Sequence, residues 1–498
     1  MGFEAGIDEG VSPDIDVAIV GAGISGIGMA AHLRMHCPER TFAVLEGRAN
    51  LGGTWDLFRY PGIRSDSDMH TLGFDFEPWR EEKAIADGAS ILDYLNRVVD
   101  DRGLRGHIRF GTRVVSADWN SASARWVLVL QGQDGQRRRL TARFLYLGSG
   151  YYDYDQAHDA AIAGADSFEG RVVHPQFWPE DLDYAGKRVI VIGSGATAVT
   201  VVPAMARTAA HVTMLQRTPT WYIIRPAIDR LANTLRRFLP ERIAYAITRL
   251  RNVRMQRLLF QRARQAPGPV KAWLSHKVRE ALGDKYEAGA FTPPYGPWEQ
   301  RLCLVPDADL FEAIRAGRAS VVTDHIDRID KTGVALRSGR HIDADVIVTA
   351  TGLKLVSAGK IALSVDGVPV DLADHYWYKG CMFSNIPNLA LVFGYLNASW
   401  TLRADLDADY VCRLLNHMRR TGVDSATPVL PADAALEEDN VFDFSSGYIE
   451  RSRALLPKSA CAMPWRLSQD YVADRAWMKA SPVDDGIMRF DRSAAPIA

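Results

Sequence analysis

The hydrophobic pattern changes period repeatedly along the chain, and twice it does so in the same order. Residues 16–20 form a continuous apolar run, Gly21-Ala22-Gly23-Ile24-Ser25-Gly26 follows at once, and an Ala/Met/Leu-rich stretch of helical character continues to about His36. Residues 41–45 then return to a short apolar strand. The order recurs further on: residues 188–192 read as a strand, Gly193-Ser194-Gly195-Ala196-Thr197-Ala198 as a turn entering a helix, and residues 211–215 as the next strand. Unbroken apolar strands alternating with helices predict parallel sheets covered on both faces. Two further β-rich segments lie at 109–115 and 344–352. Between them, residues 221–290 show helical spacing, with Leu231, Leu235 and Phe238 in one stretch and Ile247, Leu250, Arg254 and Leu258 in another. The fold class this predicts is α/β, with two Rossmann-like dinucleotide-binding domains and a helical insertion in the second.

The two glycine turns carry the first candidate chemistry. A strand, a tight glycine turn and a helix start let backbone approach a pyrophosphate, while the helix N-terminus offers unpaired N–H groups and partial positive charge. Glu46 ends the second strand, 20 residues past Gly26, where a carboxylate can accept hydrogen bonds from a ribose 2′-OH. In the second unit alanine stands in the third glycine place, an allowed variant. Its following strand ends in Gln216-Arg217-Thr218 instead of an acid. A guanidinium there can pair with a 2′-phosphate, which favours NADPH over NADH, although the same arginine also reads as a solvated strand-end charge.

Composition narrows the class. The chain has 498 residues, enough for two or three domains, and 59 basic residues stand against 60 acidic ones, so a nucleic-acid partner has no electrostatic support. Cysteines 37, 303, 381, 412 and 461 show neither C-x-x-C nor metal spacing and read as thiols in a reducing compartment. The acidic N-terminal residues lack the features of a signal peptide, and no apolar run is long enough to span a bilayer. The expectation is a cytoplasmic protein. Residues 221–290 depart from the charge balance, with 15 Lys/Arg against 5 Asp/Glu. That stretch reads either as a helical cap with a solvated outer face or as a surface attracted to anionic lipid.

Residues 168–179 match F-x-G-x-x-x-H-x-x-x-W-P at every fixed position: Phe168, Gly170, His174, Trp178 and Pro179. This resembles the signature of flavin-dependent Baeyer–Villiger monooxygenases, class B flavoproteins. Amine-hydroxylating relatives usually carry Tyr or Phe in place of Trp178. Gly52-Gly53-Thr54-Trp55 resembles the G-G motif of flavoproteins with two dinucleotide-binding domains, and residues 345–352 resemble the segment by which such a chain returns to its flavin domain. Residues 52–69, 178–184 and 397–402 look like the ethionamide-activating branch. The resemblance implies FAD and NADPH as cofactors, O2 and a ketone or sulfur compound as substrates, and oxygen insertion through a C4a-peroxyflavin. It implies an FAD-binding domain from 1–150 and 345–498. An NADP-binding domain would span 151–220 and 291–344, with the insertion at 221–290.

The resemblance also implies roles for residues. FAD contacts fall on Gly21, Gly23, Ser25, Gly26, Glu46, Gly53, Thr54, Trp55, Asp56, Leu57, Leu72 and the backbone at Val114. NADP contacts fall on Arg64, Gly193 through Ala198, Arg217 and Thr218. The block Arg59-Tyr60-Pro61-Gly62-Ile63-Arg64-Ser65-Asp66 is similar to one whose aspartate lies near both cofactors, so Asp66 would be the active-site carboxylate. Arg301, in Pro297-Trp298-Glu299-Gln300-Arg301, would be the active-site arginine, stabilising negative charge without giving up its proton. Many relatives carry Lys immediately before that arginine. Gln300 here shifts NADPH selectivity toward Arg217 and Thr218. His174 and Trp178 would act at the hinge between domains, with proton transfer at His174 as the less favoured alternative. An amine N-hydroxylase, and an FAD-binding protein or NADPH oxidase without oxygen insertion, remain as other classes. No feature of the sequence sets an oligomeric state. Arg301→Ala is expected to retain FAD and NADPH-driven flavin reduction yet lose oxygenated product, followed by stopped-flow absorbance and product mass; normal ester formation would remove Arg301 from the chemistry.

Overall fold

The computed structural model describes residues 7–300, 302–440 and 447–493. β1 (Ile7–Val20) leads through the first glycine turn into α1 (Ile24–His36) and β2 (Phe42–Leu45). β1 is apolar without a break near its end because both of its faces are covered: Val17 and Ile19 pack with α1, whereas Ala18 and Val20 join a separate cluster on the opposite side. Short helices α2 (Thr54–Leu57) and α3 (Met69–Leu72) precede α4 (Gly88–Asp101). The chain then forms β3 (Ile108–Arg109) and an antiparallel meander of β4 (Thr112–Asn120), β5 (Arg125–Gly132) and β6 (Arg137–Leu147). β6 closes back onto β1 in parallel.

The second unit repeats the plan. β7 (Arg171–Val173), β8 (Arg188–Ile192), α5 (Ala196–Met205) and β9 (His211–Gln216) come first. β10 (Tyr222–Arg225) leads to helices α6 (Arg230–Phe238), α7 (Glu241–Gln265), α8 (Pro267–Leu282) and α9 (Ala288–Phe291). The insertion expected to be helical from 221 therefore starts as a strand. Its buried Tyr222 and Ile223 pair in parallel with β11 (Cys303–Pro306), which supplies a partner the local sequence does not contain. Next come α10 (Asp309–Arg315), β12 (Ala319–Thr323), a three-stranded antiparallel flap of β13 (Ile326–Asp330), β14 (Gly333–Leu336) and β15 (His341–Asp343), and β16 (Val346–Thr349). The sheet order β12-β9-β8-β16-β7 is parallel throughout.

After β16 the chain returns to the first sheet. β17 (Ala362–Val365) pairs with β4, β18 (Val368–Val370) forms the edge, and Leu389–Leu391 pairs with β6. The long helix α11 (Trp400–Thr421) then packs on α1. The α/β arrangement of two dinucleotide-binding units with a helical insertion is the one the sequence predicts. No helix among the described residues is long and apolar enough to cross a membrane.

Two glycines are required by close approach. A Cβ on Gly26 would lie 1.8 Å from the Gly21 carbonyl oxygen, so α1 can sit against its own turn only with hydrogen there. Gly193, at φ +134°, lies against the carbonyl oxygen of Ala350 at the end of β16, where a Cβ would approach to 2.3 Å. Gly26→Ala is expected to destabilise the fold by about 1–3 kcal/mol through overpacking and to lower retained flavin; thermal unfolding and flavin absorbance read both, and an unchanged melting temperature would contradict the contact.

Candidate active site

Both glycine turns open onto one large cavity of about 460 Å³. Gly21, Gly23 and Ser25 from the first turn line it, together with Ala196 and Thr197 from the second. α1 and α5 each begin at a glycine, Gly23 and Gly195, whose backbone is extended and which provides no side-chain cap. The first N–H groups of both helices thus have no local side-chain acceptor, the condition under which a helix start binds an anion.

The first turn is braced from within. Gly21 N–H donates to the Leu45 carbonyl at 2.8 Å, and the buried Glu46 carboxylate accepts the Ala22 N–H at 2.7 Å and the Arg48 N–H at 2.9 Å. Burial raises the Glu46 pKa, and these two backbone donors with the Arg48 charge work against that rise. Each oxygen keeps lone-pair capacity beyond its one backbone bond, and Glu46 lines the cavity. Gly53 stacks directly on Gly23: a Cβ there would approach the Gly23 Cα to 3.1 Å. The hydroxyl oxygen of Ser149, buried in the same wall, has no hydrogen-bond partner among the described residues. An extended nucleotide fits such a cradle.

Other expected flavin contacts divide. Thr54, Trp55, Leu72 and Val114 line the cavity. Asp56 does not: its buried carboxylate is held by two guanidiniums, Arg48 at 2.8 Å and Arg59 at 2.7 Å. Leu57 packs instead against the core of the second unit, and Gly26 is occupied in helix–turn packing.

On the second unit, Gly195 and Ala196 are exposed at the start of α5 while Ala198 is buried beneath it. β8 and β9 end side by side, with Ile192 opposite Leu215, so Ser194 and Thr218 leave the sheet together; Ser194 Oγ donates to the Thr218 carbonyl at 3.0 Å. Arg217 is exposed at this edge. Gly193, Ser194, Gly195, Ala198, Arg217 and Thr218 stand outside the cavity wall formed by Ala196, Thr197 and Thr200.

The Arg-Tyr-Pro-Gly block joins the units. Gly62, at φ +78°, presses onto α5 so closely that a Cβ would lie 2.7 Å from the Ala204 Cβ and 3.0 Å from the Thr200 carbonyl oxygen. Buried Tyr60 hydrogen-bonds Thr197, and burial pushes its phenol pKa well up, so it stays a neutral donor. Arg64 lines the cavity and forms a two-pronged ion pair with Asp309 at the start of α10. Asp66 lines the cavity between Ser65 and Ser67. Arg301 lies outside the described residues; Leu304, three positions on, lines the same cavity.

The signature segment sits outside the cavity. Phe168 is buried with Ile190 and Ile347, Gly170 lies against the Asp345 carbonyl, and Trp178 meets Tyr184 edge-on at 6.5 Å beside Pro179. His174 Nδ1 accepts the Gln176 N–H at 3.1 Å, which leaves Nε2 as the donor to the Gly352 carbonyl at 3.3 Å. The imidazole therefore ties the segment entering the second unit to the segment leaving it.

The sequence reading passed over Tyr151, Tyr152, Tyr154 and Arg113, all of which line the cavity. The signal was there: an apolar strand ending in Gly148-Ser149-Gly150 repeats the strand-to-glycine exit of the two fingerprints. From the C-terminal part of the chain, Tyr395 and Trp400 line the cavity, with Trp400 stacked on Tyr151 at 5.1 Å. Asn397 instead donates to the Gln469 carbonyl, and Trp465 belongs to the core.

Two anion-ready helix starts face one cavity, as a site for two nucleotides requires, and the sequence comparisons place the protein more closely. The chain belongs to the flavin-binding monooxygenase-like family, whose model matches residues 15–356. It is 48% identical over 485 residues to the FAD-containing monooxygenase EthA of Mycobacterium tuberculosis, covering 97% of this chain and 99% of that protein. It is 46% identical over 479 residues to the probable FAD-binding monooxygenase AlmA of Acinetobacter baylyi, covering 96% of each. In fold it resembles an oxidized steroid monooxygenase bound to NADP, with a TM-score of 0.77 at 23% identity over 96% of this chain and all of that one. The enzyme is a flavoprotein monooxygenase.

Burial lowers the His174 pKa from its ordinary value of 6.5, against the opposing pull of the Gly352 carbonyl. The unfolded chain then takes up this proton at a higher pH than the folded one, so the stabilisation is complete above about 6.5 and is lost as pH falls below it. His174→Gln is expected to flatten part of the decline in melting temperature between about pH 7 and pH 5; a variant with the parental slope would show that His174 does not titrate with folding.

Proposed function

We propose that the enzyme holds FAD along the α1 turn and NADPH at the α5 start, and uses O2 to insert one oxygen atom beside a ketone carbonyl. The product is an ester or lactone, and the balance is ketone, O2, NADPH and a proton giving ester, water and NADP+. The same site is proposed to oxidise sulfides and thioamides at sulfur. The observation that carries this reading is the convergence of two uncapped helix N-termini on one cavity, with the Arg-Tyr-Pro-Gly block wedged between them.

When bound, the flavin supplies the electron transfer from the nicotinamide to oxygen. The chain's own groups do the rest. Gly21, Gly53 and Glu46 hold one dinucleotide, while the α5 start with Arg217 and Thr218 receives the other and its 2′-phosphate. Asp66 is the carboxylate proposed to position the active-site arginine, Arg301, which would stabilise negative charge on oxygen and on the migrating substrate. Tyr151, Trp400 and Tyr395 form an aromatic wall that limits water and gives an apolar ketone a surface to pack on.

The test is O2 and NADPH consumption by FAD-loaded protein, with ketones, sulfides and amines supplied in turn and products followed by mass. One oxygen atom gained per NADPH on a ketone is the expected outcome. Hydroxylamines from the amines alone would assign an N-hydroxylase, and peroxide as the sole product across the panel would replace the reading with an NADPH oxidase.

A further inference from the structure

α7 is amphipathic in the unusual sense. One side of it turns polar residues to the protein: Tyr245 donates to the Phe74 carbonyl at 2.9 Å, and Arg249 donates to the carbonyls of His70 at 3.0 Å and Gly73 at 2.7 Å. Asn252 and Gln256 donate to the two oxygens of Asp68, at 2.9 and 3.1 Å. The opposite side carries Ile243, Ile247, Leu250 and Leu258, which recur at helical spacing and are all exposed. The neighbouring α6 bares Leu231 and Phe238, the latter 81% exposed. An apolar stripe on each of two adjacent helices, turned to solvent, marks a surface that something covers.

Charge identifies what covers it. From 230 to 264 the sequence has ten arginines and one carboxylate, Glu241, and Glu241 is taken by Arg80 at 2.8 Å. Exposed Arg237, Arg242 and Arg254 lie among the apolar positions. Two copies meeting through this face would bring like charges together without carboxylates to compensate. An anionic lipid surface supplies both missing components, acyl chain for the stripe and phosphate for the guanidiniums, which reach past the apolar side chains to the headgroups.

We propose that the α6–α7 face docks in the plane of an anionic phospholipid bilayer. This goes beyond the proposed oxygenation and does not depend on it. The inner side of α7 grips Asp68 and the α3 turn, and Ser67 and Leu72 on either side line the cavity. A docked enzyme would therefore hold its cavity about one helix diameter, roughly 10–12 Å, from the membrane surface, close to substrates that partition into lipid.

The experiment is flotation of the FAD-loaded, full-length protein with vesicles of phosphatidylcholine alone or with about one third phosphatidylglycerol. The expected result is about tenfold greater recovery with the anionic vesicles at low salt, most of it lost at high salt. Ile243→Ser, Ile247→Ser, Leu250→Ser and Leu258→Ser combined should cut that recovery about tenfold with FAD content and melting temperature kept. Arg237→Glu, Arg242→Glu and Arg254→Glu combined should do the same, and keep the test decisive if the serine variant fails to fold. Equal recovery on both vesicle types, undiminished binding by a folded variant, or a concentration-dependent dimer abolished by the serines without vesicle binding would each overturn the proposal.

Discussion

The contact on which the site depends is the one between Gly62 and α5. With no Cβ at 62, the Arg-Tyr-Pro-Gly block comes to van der Waals distance of Thr200 and Ala204, and Tyr60 reaches Thr197 in the first turn of the same helix. This fixes how the second helix start is aimed relative to the first. Each unit could bind a nucleotide with its own turn, but electron transfer between two nucleotides requires their reactive ends to meet. The Arg64–Asp309 ion pair secures the same approach from the far side, joining the block to α10. Backbone close packing is stiff and an ion pair is directional, so together they hold both position and orientation.

A second connection is made at His174. Its neutral imidazole spans Gln176, just past β7, and Gly352, just past β16. His174 does not line the cavity.

The insertion shows how a local pattern misleads when its environment is unknown. Apolar residues at helical spacing in 231–258 ordinarily mark the buried side of a helix. In α7 the buried side instead carries Tyr245, Thr248, Arg249 and Asn252 beside Ala244 and Val253, because the adjoining turn around Asp68, His70 and Gly73 presents carbonyls and a carboxylate that need donors. Unpaired acceptors buried there would cost more than leaving Ile243 and Leu250 in water.

The sequence by itself determined the two strand–glycine–helix units, the order in which the chain visits them and the residues of both fingerprints, since each is local: a turn needing glycine, a strand buried on two faces, a helix start without a cap. Val114, Trp55, Leu72 and Asp66 were legible only through resemblance, having no pattern of their own. The tertiary structure alone decided that Asp56 faces two arginines while Thr54 and Trp55 face the cavity, that residue 222 starts a strand, and that Tyr151, Tyr152 and Tyr154 join the wall. Apart from Asp56, whose two arginines lie 8 and 3 residues away, those outcomes turn on distant partners, such as β11 for β10, 81 residues on, and Trp400 for Tyr151, 249 residues on. Local propensity contains no term for a neighbour that only the completed fold brings near.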